Sequence, residues 1–498
     1  MRPEPFRDLD WAPDRARELG EAGVDLWVEL LERMRELPAG RGTSAEEVSR
    51  AMALPVRQEP VPVAELVEHL RAMLFEYSSY PGHPGFMAYV SGAGTVPGAV
   101  GDLVAAGLNA NVGGWVLSPA ASELELHLMR LFCERFGYPQ GSGGLMTSGG
   151  SASNFTALKA ARDARAPWDV RTRGVSGAEM VMYVSSEAHA TNQEAADLLG
   201  LGTEAVRAIP VDDRLRMRVD LLEAVIADDL AEGRRPFAVV ASAGTTATGA
   251  IDPLPDIAGV AARHRLWLHV DAAYGGAAAF SDELRPLLDG IERADSITFD
   301  PHKWLYTPQS SACVLVRDLA LLERSFHDGD VAYVREDRSL SQMGANIGML
   351  GPQWSRSFMA LKVWMSLAAH GLDAYGRRVA HDVELARYLH AEAERRPHLE
   401  PVGEVTLSIA CFRYVPPGLP DDDAREPYLN LLNERLMTAL RTDGRAFPSN
   451  AVLDGCYVLR ACIVNFRTEA DDIDRMLDAA TELGEQLDAR LRPAPLPA

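Results

Sequence analysis

Five short apolar runs alternate with helical segments through the middle of this 498-residue chain, and this alternation constrains its fold more than any other feature. The runs are Met180 to Val184, Phe237 to Ala241, Leu266 to Val270, Ser296 to Phe299 and Ala312 to Val316. Each has the length and composition of a buried strand. Strands that alternate with helices predict a mostly parallel sheet covered by helices, which is an α/β fold.

The two flanks of this central region carry different patterns and predict smaller units. Residues 1–80 show helical signals, including apolar residues on one face of the segment from Ala64 to Phe75. After about Gly371 the pattern becomes helix, strand, helix, strand and a final amphipathic helix. We therefore expect an N-terminal helical segment at 1–80, a large α/β domain at 81–370 and a small α+β domain at 371–498.

Lysine is scarce, which makes one lysine informative. The chain has 49 basic residues, of which all but Lys159, Lys303 and Lys362 are arginines. Arginine is always protonated and cannot form an imine with an aldehyde. Lys303 follows the run that ends at Phe299, within the string Phe-Asp-Pro-His-Lys-Trp. Lys303 is therefore the first candidate for imine chemistry, and partial burial beside a cationic ring is expected to lower its pKa.

Other polar groups follow neighbouring strands. Asp271 comes directly after the run at 266–270, where open α/β sheets bind ligands, and His189 follows the run at 180–184. The glycine- and serine-rich stretch from Thr147 to Asn154 leads into a helical pattern and is typical of a phosphate cradle. Its expected ligands are the hydroxyls of Ser151 and Ser153 and the amide of Ala152.

These features together match what one cofactor requires. Pyridoxal 5'-phosphate needs an imine-forming lysine, an anion at its pyridine nitrogen and a phosphate cradle. Taken singly, a Gly-Ser turn is usually a helix cap, a strand-end aspartate a loop cap, and a histidine a core residue. Chance would rarely place cradle, His189, Asp271 and Lys303 in this order after separate strands. The sequence therefore predicts a pyridoxal-phosphate site without a metal.

The same residues resemble the group II pyridoxal-phosphate-dependent amino acid decarboxylases, which include aromatic-L-amino-acid and glutamate decarboxylases. The resemblance rests on the strings His269–Tyr274 and Pro301–Trp304 and runs from about Pro62 to about Leu483. Further matches are His83-Pro84 with Phe86, Ser118-Pro119-Ala120, Gly244-Thr245-Thr246 and Asn465-Phe466-Arg467-Thr468. The resemblance implies the fold-type-I architecture of pyridoxal-phosphate-dependent transferases.

The resemblance also implies roles for individual residues. Lys303 would carry the cofactor, Asp271 would pair with the pyridine nitrogen, and His189 would stack on the ring. The remaining cofactor contacts it implies are Thr246, Ala273, His302 and Asp300. Many relatives carry asparagine in place of Asp300, and a carboxylate would be repelled by phosphate. We therefore expect Asp300 to lie slightly away from the phosphate or to pair with an arginine.

Substrate and partner contacts follow from the same resemblance. Arg356 would bind the substrate α-carboxylate, and Phe86 and Trp115 with nearby glycines would line a roomy apolar pocket. Tyr333 lies in a polar loop and would protonate the α-carbon after CO₂ leaves. In the family this loop enters the partner's active site, which implies a homodimer with shared active sites. The pocket weakly favours an aromatic substrate.

The predicted activity is decarboxylation of an L-amino acid to its amine and CO₂. One alternative is an aldehyde synthase of the same family, which couples decarboxylation to oxidative deamination; such relatives tend to replace the loop tyrosine, so Tyr333 argues against it. Another is an aminotransferase or sulfur-handling lyase of the same fold type, which the Pro-His-Lys-Trp context disfavours. A catalytically silent scaffold is a third, disfavoured by the intact Lys303, Asp271 and His189.

Composition limits partners and location. A net charge of −22 disfavours nucleic acid and anionic membranes as partners. The sequence contains no run of about 18 apolar residues, so we expect no membrane span. The N-terminus lacks the apolar core of a signal peptide. The five scattered cysteines have no metal spacing and suggest free thiols in a reducing cytosol. We expect a cytoplasmic enzyme of amino acid metabolism, and the excess of arginine over lysine suggests a GC-rich bacterial gene.

Overall fold

The computed structural model describes residues 9–54, 56–175, 179–327 and 344–492. Its strands are β1 Phe86–Met87, β2 Gly143–Thr147, β3 Met180–Ser185, β4 Val206–Ile209, β5 Arg235–Ser242, β6 Trp267–Asp271, β7 Ser296–Phe299, β8 Ala312–Val316, β9 Leu399–Val402, β10 Ile409–Tyr414, β11 Phe447–Leu453 and β12 Cys456–Cys462. Its helices are α1 Pro13–Arg33, α2 Ala45–Ala51, α3 Val63–Ala72, α4 Val96–Leu108, α5 Pro119–Arg135, α6 Gly150–Arg165, α7 Val170–Arg173, α8 Thr191–Leu198, α9 Val219–Ala231, α10 Leu254–His264, α11 Leu319–Phe326, α12 Met359–His370, α13 Leu372–Arg395, α14 Arg425–Asp443 and α15 Ala470–Leu491.

A seven-stranded sheet forms the centre of the chain, in the order β2-β8-β7-β6-β5-β3-β4. The strands β4, β3, β5, β6 and β7 run parallel, and β8 is antiparallel to both of its neighbours. The five apolar runs seen in the sequence all form strands of this sheet, so the predicted mostly parallel sheet is confirmed. Because β3, β5, β6 and β7 are parallel, the loops after them meet at one edge.

The core of this sheet reaches directly to that edge. Phe299, the last residue of β7, is fully buried and packs edge-on against Phe132 and Phe136 of the α5 region, with ring centroids 5.3 and 5.4 Å apart. Aromatic pairs of this geometry stabilise a core beyond the area that they bury. The next residue is Asp300, so this packing fixes where the chain leaves β7 and begins the candidate site.

A second sheet has five strands in the order β1-β11-β12-β10-β9. Four of them come from the C-terminal part of the chain, and β10, β11 and β12 carry the antiparallel pairing there. The short β1 is different, since it pairs in parallel with β11 and stacks Phe86 on Phe447 with ring centroids 5.1 Å apart. The segment at 86–87 is therefore tied to the C-terminal sheet.

The N-terminal helices make their own small core. Leu26 and Met34 pack with Phe75 and Tyr80, which brings α1 against the end of the α3 region. The helical signals predicted before residue 80 are confirmed here, although the exact domain boundaries remain a prediction. Within the described residues, no helix combines the length and apolar character needed to cross a bilayer.

Candidate active site

A cavity of about 280 Å³ lies at the edge where the parallel strands end. The loops after β3, β5, β6 and β7 form its walls, and the start of α6 forms another. Its lining residues are Val90, Gly149, Gly150, Ser151, Asn154, His189, Thr191, Ser242, Gly244, Thr245, Thr246, Asp271, Ala273, Tyr274, Asp300, His302 and Lys303. The structure thus brings the predicted lysine, aspartate, histidine and cradle to one place.

Lys303 is held in the turn after β7 beside a buried carboxylate. Its Nζ lies 3.0 Å from Oδ2 of Asp300, and its backbone N–H donates to the Asp300 carbonyl at 2.9 Å. The Asp300 side chain is fully buried, and neither of its oxygens has a hydrogen-bond partner of good geometry. The ion pair with Lys303 is therefore what compensates the buried charge. Among the described residues, the cation beside Asp300 is the lysine itself and not the expected arginine.

Two opposing effects set the ionisation of Lys303 in the protein alone. Burial lowers its pKa, but the nearby carboxylates of Asp300 and Asp271 outweigh burial, so the net pKa is raised. The expectation of a lowered pKa rested on burial together with the cationic ring of the bound cofactor, and for the loaded protein it stays a prediction. In the protein alone the ammonium form is favoured, and the lysine must lose this proton before it can attack an aldehyde.

Asp271 is fixed by two donors from the protein. Asn154 Nδ2 donates to Oδ2 at 2.9 Å, and the Ala273 amide donates to Oδ1 at 3.2 Å. The Asn154 oxygen in turn lies 3.1 Å from His269 Nε2, and His269 Nδ1 lies 2.8 Å from Ser296 Oγ. Burial lowers the pKa of His269, so the ring is neutral and donates from Nε2. This chain of bonds orients the Asp271 carboxylate.

Asn154 was quoted in the sequence motif but given no role. It lies four residues after Gly150 on α6, so both face the same side of the helix, and it reaches across to β6. That i, i+4 spacing from the cradle glycine is the one local signal that could have identified it.

Two histidines line the cavity in defined orientations. His189 Nδ1 lies 3.0 Å from Thr191 Oγ1, and its carbonyl accepts from Asn192 Nδ2 at 3.1 Å. His302 Nδ1 lies 2.9 Å from the Ser311 carbonyl, which can only accept, so Nδ1 is the protonated nitrogen. Burial lowers the pKa of His302, which leaves its Nε2 as a free acceptor.

The predicted cradle is built mostly from backbone. The first amides of α6 have no intrahelical partner and point out of the helix start, where Gly149, Gly150 and Ser151 line the cavity. A Cβ at position 150 would lie 2.8 Å from Asp300 Oδ2, so only glycine allows this approach. The Ser153 hydroxyl is 2.7 Å from Thr147 Oγ1 and is fully buried, so it does not line the cavity. Ala152 is in the first turn, outside the lining.

These residues fit pyridoxal phosphate. The lysine, the oriented Asp271 carboxylate and a helix start with free amides surround one cavity. Each meets one of the three requirements of the cofactor.

Other predicted site residues are not brought to this cavity. Arg356 forms an ion pair with Glu125, and both side chains are 1% exposed. Trp115 donates from Nε1 to Glu123 at 2.9 Å, and Phe86 is stacked on Phe447. Tyr333 lies outside the described residues.

Arg460 on β12 was not among the predicted site residues. Its guanidinium donates to the Ala247 carbonyl at 3.1 Å and the Tyr89 carbonyl at 3.0 Å, and each acceptor is next to a residue of the cavity wall. The side chain is 2% exposed, and its Nη2 is buried without a hydrogen-bond partner among the residues that the structure describes. A buried cationic donor of this kind is costly unless an anion satisfies it.

Comparison with known proteins agrees with this geometry. Residues 46–415 match the family described as the pyridoxal-dependent decarboxylase conserved domain. The chain belongs to this family.

Three curated relatives are similar to this decarboxylase over about nine-tenths or more of their length. The aromatic-L-amino-acid decarboxylase of Bacillus atrophaeus is 30% identical over 480 residues, covering 96% of this chain and 98% of the relative. Human cysteine sulfinic acid decarboxylase is 32% identical over 451 residues, covering 89% and 90%. The phenylacetaldehyde synthase of a Rosa hybrid cultivar is 28% identical over 472 residues, covering 93% and 92%.

A solved structure shows the same fold. Oryza sativa TDC with PLP and tryptamine superposes with a TM-score of 0.89 at 26% identity, covering 97% of this chain and 100% of the other. The protein is a pyridoxal-phosphate-dependent carboxy-lyase of fold type I.

The ion pair in the decarboxylase cavity predicts a pH effect on imine formation. Two carboxylates raise the pKa of Lys303, and Asp300→Asn removes the one with the larger effect. The neutral amine should therefore form at lower pH. With the apoprotein and pyridoxal, which lacks a phosphate, the pH profile of the imine-formation rate should shift to lower pH and the reaction should be faster near neutrality. The measurement is stopped-flow absorbance across pH.

A matched control removes a carboxylate from another lysine. Asp102 pairs with Lys362 at 3.0 Å, outside the cavity, so Asp102→Asn should leave the profile unchanged. An unchanged profile for Asp300→Asn would contradict the assigned role of the ion pair.

Proposed function

We propose that this decarboxylase converts an aromatic L-amino acid to its amine and CO₂. One observation supports the proposal above all others: Lys303 and Asp271 line the same cavity as the first residues of α6. The cofactor, when bound to Lys303, supplies an electron sink for the electrons of the cleaved bond. The Asp271 carboxylate, held by Asn154 and the Ala273 amide, would keep the pyridine nitrogen protonated.

The other residues would orient and protect the reacting groups. His189 and Ala273 both line the cavity, and Thr246 lies on the loop after β5. His302 carries its proton on Nδ1, which leaves Nε2 free to accept a hydrogen bond inside the cavity. Asp300 would stabilise the protonated form of Lys303 rather than bind phosphate, since its carboxylate is 3.0 Å from Nζ.

Arg460 is the better candidate for the substrate α-carboxylate. Arg356 is already neutralised by the buried Glu125 carboxylate, whereas Nη2 of Arg460 has no partner and lies beside the cavity wall. Holding the carboxylate there would fix which bond at the α-carbon is broken, because positioning decides which bond is aligned for cleavage.

The charge of the cavity supports an uncharged substrate side chain. Among the described lining residues, Lys303 is the one lysine or arginine, and it is already paired with Asp300. An acidic side chain would need a second cation or donor set for its charge. Val90 and Tyr274 offer apolar surface instead. This favours an aromatic amino acid over a sulfinate or a dicarboxylate.

The chemistry after CO₂ loss depends on Tyr333, which remains a prediction. We propose that its hydroxyl protonates the α-carbon from the partner's loop, which yields the amine. The alternative is an aldehyde synthase, in which the α-carbon is oxidised instead. The two functions have different products and can be separated directly.

Purified protein with added pyridoxal phosphate is expected to release amine and CO₂ in equal amounts from one or more aromatic L-amino acids. Lys303→Ala should lose this activity because no other residue can attach the cofactor at this site. Arg460→Met should raise KM by about 10- to 100-fold if Arg460 binds the α-carboxylate. The measurement is product quantification over a panel of standard and hydroxylated L-amino acids.

Lys159→Ala is the matched lysine control and should keep activity, because Lys159 lies outside the cavity and is paired with Asp163 at 2.7 Å. Aldehyde, ammonia and peroxide as products would move the function to the oxidative alternative. Turnover of only acidic substrates would contradict the proposed substrate class, and unchanged KM in Arg460→Met would exclude its role.

We also propose that the enzyme is a homodimer joined at α4. Val100, Leu103, Val104 and Leu108 share one face of this helix and are 37%, 62%, 53% and 63% exposed. Contiguous exposed apolar surface of this kind marks an interaction site. A second copy of the chain is the occupant that the family's shared active site requires.

A charge placed on this face should separate the subunits. Leu103→Glu is expected to convert a species of twice the chain mass into a monomer, with loss of most decarboxylase activity, because a buried unpaired carboxylate is costly. Light scattering after gel filtration measures the mass. Leu198→Glu on α8, at a leucine that is 71% exposed, is the control and should stay dimeric. A Leu103→Glu variant that remains dimeric and active would contradict the interface.

A further inference from the structure

The segment that carries Lys303 is hydrogen-bonded to α13 at a residue outside the cavity lining. The Asp382 carboxylate on α13 accepts a hydrogen bond from Trp304 Nε1 at 2.9 Å and another from Tyr306 OH at 2.5 Å, both at Oδ2. These donors are one and three residues after Lys303. Asp382 is completely buried and is absent from the lining of the cavity. It therefore contacts the lysine segment without reaching the reacting groups.

The charge of Asp382 is compensated on its other oxygen. Arg378, one helical turn earlier, places Nη2 2.6 Å from Oδ1. The same nitrogen donates to the carbonyls of Asn465 and Thr468 at 3.1 and 3.2 Å. Burial raises the pKa of Asp382 to about 6, and the two ring donors and Arg378 hold it down against burial. Oδ2 therefore accepts from two fixed donors, while Oδ1 lies at ion-pair distance from Arg378 without a hydrogen bond of good geometry among the described residues.

The lysine turn has little freedom on its other sides. Trp304 stacks on Tyr274 of the cavity wall, with ring centroids 5.0 Å apart and planes 26° apart. A Cβ at Gly92 would lie 2.4 Å from the Lys303 carbonyl, so a neighbouring backbone presses against the turn. Tyr306 has a φ of 53°, which costs energy in a non-glycine residue and requires tertiary support. The bond from its hydroxyl to Asp382 supplies part of that support.

We propose that Asp382 is a positioning residue for the proposed decarboxylation: by accepting from Trp304 and Tyr306, it fixes the turn that aims Lys303 into the cavity. The inference rests on the proposed function. It assigns to α13, in the C-terminal part of the chain, a part in setting the geometry of the lysine. A displacement of reacting groups of the order of 1 Å can lower a rate by about 100-fold, so such support matters for turnover.

Two variants separate the hydrogen bonds from the charge. The double substitution Arg378→Met with Asp382→Leu removes the ion pair together, so that no unpaired buried charge remains. Asp382→Asn keeps an oxygen that can accept from both rings. If Asp382 positions Lys303, the double variant should lower kcat about 10- to 100-fold with KM changed less than about twofold. Asp382→Asn should recover most of kcat.

A spectroscopic readout separates positioning from mere stability. The visible absorbance of the cofactor bound to Lys303 is titrated with pH, and its midpoint is expected to shift in the double variant because the lysine sits differently between Asp300 and Asp271. This readout requires cofactor attachment alone. If the wild-type protein binds cofactor but decarboxylates nothing, the proposed function fails while the absorbance titration still decides the role of Asp382.

Asp229→Asn is the matched control. Asp229 is also buried and accepts from Tyr183 OH at 3.0 Å and Arg234 at 2.7 Å, but it lies on α9, outside the lysine turn. It should lower the thermal midpoint and leave both kcat and the absorbance midpoint unchanged. The proposal is overturned if the Asp382 variants lose only thermal stability, with kcat and absorbance midpoint as in the wild type.

Discussion

The ion pair between Lys303 and the buried Asp300 is the interaction on which the site depends. Among the described residues, the Lys303 ammonium is the one cation that pairs with Asp300, and the turn after β7 keeps Nζ 3.0 Å from Oδ2. The same carboxylate requires glycine at position 150, which sets how closely α6 approaches the strand edge. One charge pair therefore links the sheet edge, the lysine turn and the phosphate cradle. The Asp300 carboxylate also raises the pKa of Lys303. The lysine therefore holds a proton that it must lose before the cofactor can attach.

The strands of the parallel sheet could be predicted because both of their faces are buried. Such strands are continuous apolar runs, and β3, β5, β6, β7 and β8 were all found from them. The missed strands lack this signal. β2 begins with two glycines, β4 is partly exposed at the sheet edge, and β11 contains a proline and two polar residues. β2 pairs with β8, which is distant in the sequence, whereas β11 forms a hairpin with the following β12 although its own residues carry no continuous apolar run.

The site residues, like the strands, could be predicted where the signal is local in the sequence. Lys303, Asp271 and His189 were predicted because each follows a strand or belongs to a local motif, and the structure places all three on one cavity. Side-chain direction was less predictable. Ser153 turns to Thr147, and Arg356 turns to Glu125, because those partners come from other elements. For Asn154 the spacing from Gly150 places the side chain on the cavity side of α6, but its partner Asp271 is 117 positions away. Asp382 acts on residues 76 to 78 positions away, and no local spacing signals its role.

The central claim is that Lys303 alone holds the cofactor. The other two lysines are occupied outside the cavity: Lys159 pairs with Asp163, and Lys362 donates to the Gln309 carbonyl at 2.6 Å and pairs with Asp102. The direct measurement is borohydride reduction of the protein loaded with pyridoxal phosphate, followed by peptide mass mapping. The account predicts one cofactor mass per chain, on the peptide that contains Lys303. Cofactor on Lys159 or Lys362, or on no lysine, would contradict it.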